Sequence, residues 1–257
     1  STGEPRWKAQ LPGKRARVLR YSADGARIAG LIDGIGLLIW NGQTGALGVR
    51  VEGTAQADPV LALTPDGGHV ALAFGADVRL YEGHYGKLDG DHKEVCQGEG
   101  ASVRDLAVAP DGQRLAAACG NTALWLGALA PGGEAQTLTV GGEAVAVSFM
   151  PDGVRLGVGM ADGRFELWDL REARRLARFR PHSGAVHAVD FGLGGAVMLT
   201  AGADGAALVW DMGRVQPMRF FAAEGISQVK DLPRGAVGQL GSANLHHEDM
   251  VVRIAHA

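Results

Sequence analysis

One turn recurs along this chain at a nearly constant interval, and that recurrence restricts the fold more than any other feature. An apolar run followed by a Pro-Asp-Gly-like turn occurs at Ser22-Ala23-Asp24-Gly25, Thr64-Pro65-Asp66-Gly67, Ala109-Pro110-Asp111-Gly112 and Met150-Pro151-Asp152-Gly153. Degenerate versions stand at Gly192-Leu193-Gly194-Gly195 and Leu232-Pro233-Arg234-Gly235. The turn aspartates Asp24, Asp66, Asp111 and Asp152 are 42, 45 and 41 residues apart. An aromatic that ends a later strand keeps the same beat through Trp40, Tyr81, Trp125, Trp168 and Trp210, at spacings of 41, 44, 43 and 42. Internal repeats with a period of this size mean stacked copies of one supersecondary unit.

Each period holds four short β-runs bounded by turns. The fourth shows them best: Ala144 to Phe149, a Pro-Asp-Gly turn, Arg155 to Met160, the Ala161-Asp162-Gly163 turn, Phe165 to Asp169, then Leu176 to Arg180. Four strands of about five residues make an antiparallel meander with two apolar faces, and such a sheet buries both only by stacking on its own copies. The 40 glycines fit a chain of many tight turns.

The period, the turns and the third strands ending in Leu167-Trp168-Asp169 and Val209-Trp210-Asp211 resemble the WD40-repeat β-propeller family, with degenerate repeats. Period five carries the full pattern: His182 before the first strand, Thr200 in the second, Asp204 in the next turn and Trp210 in the third. The resemblance implies that these four form a buried structural tetrad of hydrogen bonds. A catalytic reading of the same His, Asp and Thr is set aside, because buried polar groups need partners simply to avoid a desolvation cost of about 1 to 3 kcal/mol each.

The expected fold is therefore all-β: a single β-propeller domain over residues 1–257 with about six four-stranded antiparallel blades. First strands are expected near Val18, Val60, Val103, Val145, Val186 and Ile226, and the sixth period shows three strands, the last at Val251 to Ile254. An N-terminal strand over residues 5–11, around Trp7, is expected to complete the last blade and close the ring, leaving no open edge at the seam. A propeller completed by a strand from a partner chain is the structural alternative.

Two segments depart from the repeat. Residues Ser242 to Met250 lengthen a turn that takes about three residues in periods four and five, and Asn244, Leu245, His246, His247, Glu248 and Asp249 make it the candidate partner-binding loop. Adjacent histidines with two carboxylates also have metal-ligand chemistry, but neighbours in sequence seldom converge on one ion. The arginines Arg171, Arg174, Arg175 and Arg178, with Arg180, form a candidate basic rim on blade four, where outer-strand charge discourages edge pairing.

Function classes are narrowed by what else the chain carries. A net charge of −3 gives no general attraction to phosphate backbones, so nucleic acid is not an expected partner. No run approaches the roughly 18 apolar residues of a membrane helix, and the first residues show no basic-then-apolar pattern. Cys96 and Cys119 are too few for a disulfide framework; read as unpaired thiols they point to a reducing, cytoplasmic setting. His84 and His92 near Cys96 lack a fourth ligand for a metal site.

No nucleotide-binding glycine motif, zincin helix or nucleophile elbow is present. No cofactor is expected. The resemblance implies a non-catalytic platform that binds another protein through loops on one face, as a monomeric propeller within a complex. Those loops are Pro12 to Arg15, Asp33 to Gly36, Gly98 to Ser102, His182 to Gly184 and the long turn at 242–249. A propeller enzyme or metal protein with a central site is the alternative, for which Asp58, Asp105 and Asp190 supply scattered acids near or in the first strands.

Overall fold

The structure is a computed structural model that describes residues 7–8, 15–52, 60–83, 93–97, 101–121, 123–129, 133–213 and 236–239. The recurring turn owes its shape to its side chains. In sheet one the Ser22 hydroxyl and the Ala26 amide both bond Asp24 Oδ1, at 2.6 and 2.9 Å. In sheet two Thr64 and Gly68 bond Asp66 in the same way, at 2.6 and 2.8 Å. The glycine that follows each turn aspartate, at 25, 67, 112 and 153, lies at φ between 65° and 69°. An L side chain rarely adopts that left-handed conformation, so glycine is what lets the chain reverse there.

Each turn feeds a four-stranded antiparallel meander, and five such sheets are described. Sheet one holds β1 (Ala16–Tyr21), β2 (Arg27–Ile32), β3 (Gly36–Asn41) and β4 (Leu47–Glu52). Sheet two holds β5 (Val60–Leu63), β6 (His69–Phe74), β7 (Asp77–Glu82) and β8 (Lys93–Glu94). Sheet three holds β9 (Asp105–Val108), β10 (Arg114–Ala118), β11 (Ala123–Ala128) and β12 (Ala135–Thr139). Sheet four holds β13 (Ala144–Phe149), β14 (Arg155–Met160), β15 (Phe165–Asp169) and β16 (Arg174–Phe179). Sheet five holds β17 (Val186–Gly192), β18 (Val197–Gly202), β19 (Ala207–Asp211) and β20 (Ala236–Gln239). Helix is confined, among the described residues, to a 3₁₀ turn at Leu193–Gly195, and no helix is long and apolar enough to cross a membrane.

The chain divides into two compact units, Ser1–Val95 with sheets one and two, and Cys96–Ala257 with sheets three to five. In the first unit, Leu31, Leu37 and Ile39 of sheet one pack on Leu61, Val70 and Leu72 of sheet two. In the second, Leu124, Leu126 and Leu138 share a core with Val147, Leu156 and Val158 of sheet four. Phe165 and Leu167 of sheet four then face Val186, Phe191 and Trp210 of sheet five. Within each unit, neighbouring sheets thus bury apolar faces against one another, as the two-faced apolar pattern requires. Polar struts add register: Asp105 of β9 accepts the Val147 amide of β13 at 2.9 Å, and the Arg114 guanidinium donates to the Gly153 carbonyl at 2.6 Å.

The third-strand aromatics are not all equivalent. Trp40, Trp168 and Trp210 stand opposite Ile28, Leu156 and Met198, whereas in sheet three the residue opposite Leu115, the counterpart of Leu156, is Gly127. Trp125 lies two residues earlier on the same face. A Cβ on Gly127 would fall 2.2 Å from the Trp125 ring, so the glycine makes room for the displaced indole.

The last period also differs from the sequence reading. Ala236–Gln239, which follows the turn at 232–235 and reads as the second strand of a sixth period, pairs with β19 as the outer strand of sheet five, Val209 opposite Gly238. Outer strands such as β4, β12 and β16 are mostly exposed and carry no marker residue, so a short run of suitable residues can fill that position. The remainder of the sixth period lies outside the described residues, as does the N-terminal strand 5–11 apart from Trp7 and Lys8. The Trp7 indole donates to the Gly42 carbonyl at 3.1 Å, beside the turn between β3 and β4.

Candidate functional site

In the second unit, the loops that lead into β13 and β17 meet the turn between second and third strands of the preceding sheet, and in sheet four the lead-in loop also meets that sheet's own turn. The Ala144 amide donates to Asn121, Ala161 to Glu143, and His182 to Gly163, at 2.8, 2.9 and 3.3 Å. These loops and turns therefore form one continuous side of sheets three to five. Each sheet holds its part of that side by a different device.

Sheet five uses side-chain hydrogen bonds. His182 Nδ1 lies 2.9 Å from Asp204 Oδ1, and His182 Nε2 lies 2.9 Å from Thr200 Oγ1. The Trp210 indole donates to the same hydroxyl at 3.0 Å, and the Ser183 amide donates to Asp204 Oδ2 at 3.0 Å. The chain of bonds runs from loop to turn to the middle of the sheet, bringing together all four residues of the sequence-derived tetrad. His182, Thr200 and Trp210 are buried. Burial alone would raise the Asp204 pKa, but the Ser183 and Ala206 amides and the His182 imidazole outweigh it and hold the carboxyl below its ordinary value. The ring is tied into a structural network and presents no open nucleophile, since Thr200 Oγ1 is engaged by both His182 and Trp210.

Sheet four uses a buried charge. Val158 occupies the place of Thr200, as shown by its partner Glu166 in register with Leu208. Glu166, with no exposed surface, takes over the indole: Trp168 Nε1 donates to its Oε2 at 2.9 Å, joined by the Gly141 amide at 3.3 Å. Arg175 Nη1 reaches Glu166 Oε1 at 2.9 Å, and Arg178 Nε lies 3.6 Å from the same oxygen. A carboxylate taken out of water is stable only with such partners. Sequence reasoning missed Glu166; its signal is an acid set between the apolar residues Phe165 and Leu167 within a strand.

This reassigns the candidate basic rim. Arg175 and Arg178 neutralise Glu166, Arg174 pairs with Glu172 at 2.9 Å, and Arg180 donates to the carbonyls of His182 and Ser183. Arg171 sits exposed at the start of the outer hairpin turn, its amide bonded to Asp169.

Sheet three uses a covalent bond, and here the sequence reading is corrected. Cys96 and Cys119 are joined as a disulfide with Cα atoms 5.2 Å apart. Sequence alone leaves them unpaired because 23 residues separate them and nothing in the composition shows that the loop returns to the end of β10. Closing a loop of that length stabilises by about 3 kcal/mol. With both thiols paired, cysteine usage no longer points to a reducing compartment, and Cys96 is not available as a metal ligand to His84 or His92, which lie outside the described residues.

The acids considered for a central site are engaged with backbone. Asp105 accepts the Leu106 and Val147 amides, and Asp190 accepts the Phe191 amide at 2.9 Å. Asp58 lies outside the described residues, and so does the candidate loop Asn244, Leu245, His246, His247, Glu248 and Asp249. Of the other expected face loops, Asp33 to Gly36 and His182 to Gly184 are described in full. Asp33 is tied to Arg15 and Arg17.

Comparison with known proteins follows the same geography. Residues 173–211, from β16 through β19 and including the whole tetrad, match the family described as WD domain, G-beta repeat. Pre-mRNA-processing factor 19 homolog 2 of Arabidopsis thaliana is 32% identical over 91 residues, covering 35% of this chain and 17% of that protein. A guanine nucleotide-binding protein subunit beta of Nicotiana tabacum is 29% identical over 126 residues, covering 46% and 34%. Telomerase protein component 1 of Rattus norvegicus is 28% identical over 197 residues, 74% of this chain and 7% of the relative. The chain thus spans at most about a third of the length of these relatives. Among solved structures, the β-propeller domain of Myceliophteria thermophila Cps50 (Swd1) superposes with a TM-score of 0.69 at 17% identity, covering 90% of this chain and 72% of that one.

Proposed function

Because the chain belongs to the WD40-repeat β-propellers, we propose that it is a non-catalytic platform that binds another protein or peptide through the loops that lead into its first strands and the turns between second and third strands. The family is generally non-catalytic, and its propellers generally bind other proteins. The observation that carries the reading is the fixing of these loops: three successive sheets spend a tetrad, a buried charge cluster and a disulfide on the same side of the second unit. A surface fixed in advance loses little entropy on binding, so side chains of modest chemistry give useful affinity.

Exposed residues on that side include Arg104, Glu143 and Ser183. A photo-crosslinking residue placed at Ser183 or at Arg104 captures a defined partner, whereas the same residue at Leu176 on the outer strand β16 does not. Equal capture from Leu176, or none from the loop positions while purified partner still binds, overturns the assignment of the face. The turn 242–249 belongs to the same proposal, and its deletion weakens binding without lowering thermal stability.

A further inference from the structure

The hairpins of the second unit are superposable in register, and this shows what the disulfide replaces. The last cross-strand pair between second and third strands is Ala118–Leu124 in sheet three, Gly159–Phe165 in sheet four and Ala201–Ala207 in sheet five. The residues that follow the first member of each pair are Cys119, Met160 and Gly202. This position points at the lead-in loop: a Cβ on Gly202 would lie 2.5 Å from the His182 ring, and Met160 Sδ approaches Gly142. Two residues further on stand Asn121, Asp162 and Asp204. In sheet five Asp204 binds the loop through His182, and in sheet three Asn121 Nδ2 donates to the Gln97 carbonyl at 3.3 Å.

Cys96, beside Gln97, therefore occupies the role of the loop residue that His182 fills in sheet five. We infer that the Cys96–Cys119 disulfide is a redox-set latch that holds the loop leading into sheet three in place of the His182–Asp204 contact, and that its reduction frees this loop while sheets four and five stay folded. The chemistry is exchange with an external dithiol. One thiolate attacks a sulfur of the bond and leaves a mixed disulfide, which the second thiol displaces. The dithiol ends as a disulfide, and two protons end on the Cys96 and Cys119 sulfurs.

Beside the bond, hydrogen bonds also hold the described residues of the loop. The Ser102 amide reaches the Cys119 carbonyl at 3.3 Å, Asn121 holds Gln97, and the Arg104 amide donates to Ala118 at 2.8 Å. Both cysteines are only 1% exposed, so exchange proceeds through opening of this loop, and the two neighbouring latches contain no thiol or disulfide.

The test uses the whole chain purified without reductant. Alkylation in denaturant labels neither cysteine before dithiothreitol and both after it. Native trypsin cleavage after Arg104, which is exposed, becomes at least about tenfold faster on reduction and in C96S/C119S, while cleavage within residues 144–211 is unchanged. Both cysteines alkylated before reduction would overturn the inference. So would cleavage at Arg104 that ignores reduction, simultaneous loss of protection throughout 144–211, or a folded protein that dithiothreitol cannot reduce. Should C96S/C119S not fold, the wild-type protein reduced in place gives the same comparison.

Discussion

Sheets four and five share the lengths of their second and third strands, the register between them and a buried third-strand tryptophan, yet they satisfy that indole differently. In sheet five a neutral hydroxyl, Thr200, accepts it and passes the connection on to His182 and Asp204. In sheet four Val158 leaves the position apolar, and Glu166 accepts the indole from two residues earlier on the tryptophan's own strand. The first solution links the sheet to its lead-in loop through side chains. The second links it to its own outer strand through Arg175 and Arg178, and reaches the loop only at the Gly141 amide. Equivalent folds thus need the polar atom satisfied, but not by a particular residue.

The largest expected effect comes from removing the charge. Glu166→Leu leaves the indole and the Gly141 amide without their acceptor and costs about 3 kcal/mol, measured by chemical denaturation. Adding Val158→Thr in the same chain installs the solution of sheet five and restores about 1 kcal/mol, because a hydroxyl again faces Trp168. Equal stability of the single and double variants would break the equivalence of the two positions. Thr200→Val is the converse and somewhat smaller: it strips the acceptor from Trp210 and the partner from His182, costing about 2 kcal/mol. Hydrogen exchange should then rise first in the 182–185 loop, whereas Glu166→Leu should loosen β16.

How much of this was legible depends on whether a residue's role is local. The turns at Asp24, Asp66, Asp111 and Asp152 and the four strands of period four are set by nearby residues, and the strand bounds read from sequence coincide with β13, β14 and β15. The shift of Trp125 is not legible, because moving by two residues keeps a side chain on the same face of a strand. Glu166 escaped notice for a related reason: its partners are nine and twelve residues ahead, in arginines that read naturally as an exposed rim. The pairing of Cys96 with Cys119 needs the path of a long loop, which no period supplies. The tetrad was legible as a pattern because His182, Thr200, Asp204 and Trp210 keep the spacing of the most regular repeat.

The smallest effect separates the two sheets by pH. Asp162 and Asp204 occupy equivalent turns, and both carboxyls are held below the ordinary value. For Asp162 the main cause is its hydrogen bond from Arg164, on an exposed pair. For Asp204 burial works the other way and is outweighed by the Ser183 and Ala206 amides and by His182. A carboxylate whose folded pKa lies below its unfolded one adds stability above the unfolded value near 3.8, and that stability is lost as pH falls through the folded pKa. Asp204→Asn should therefore lower the melting temperature at pH 6 and flatten its fall as the pH drops below the unfolded value near 3.8. Asp162→Asn should do less on both counts, since water screens its arginine pair more than it screens Asp204, whose partner His182 is buried. A parallel fall in the wild type and Asp204→Asn would show that the carboxylate contributes only shape to the latch, leaving the hydroxyl of Thr200 as the part that holds the loop.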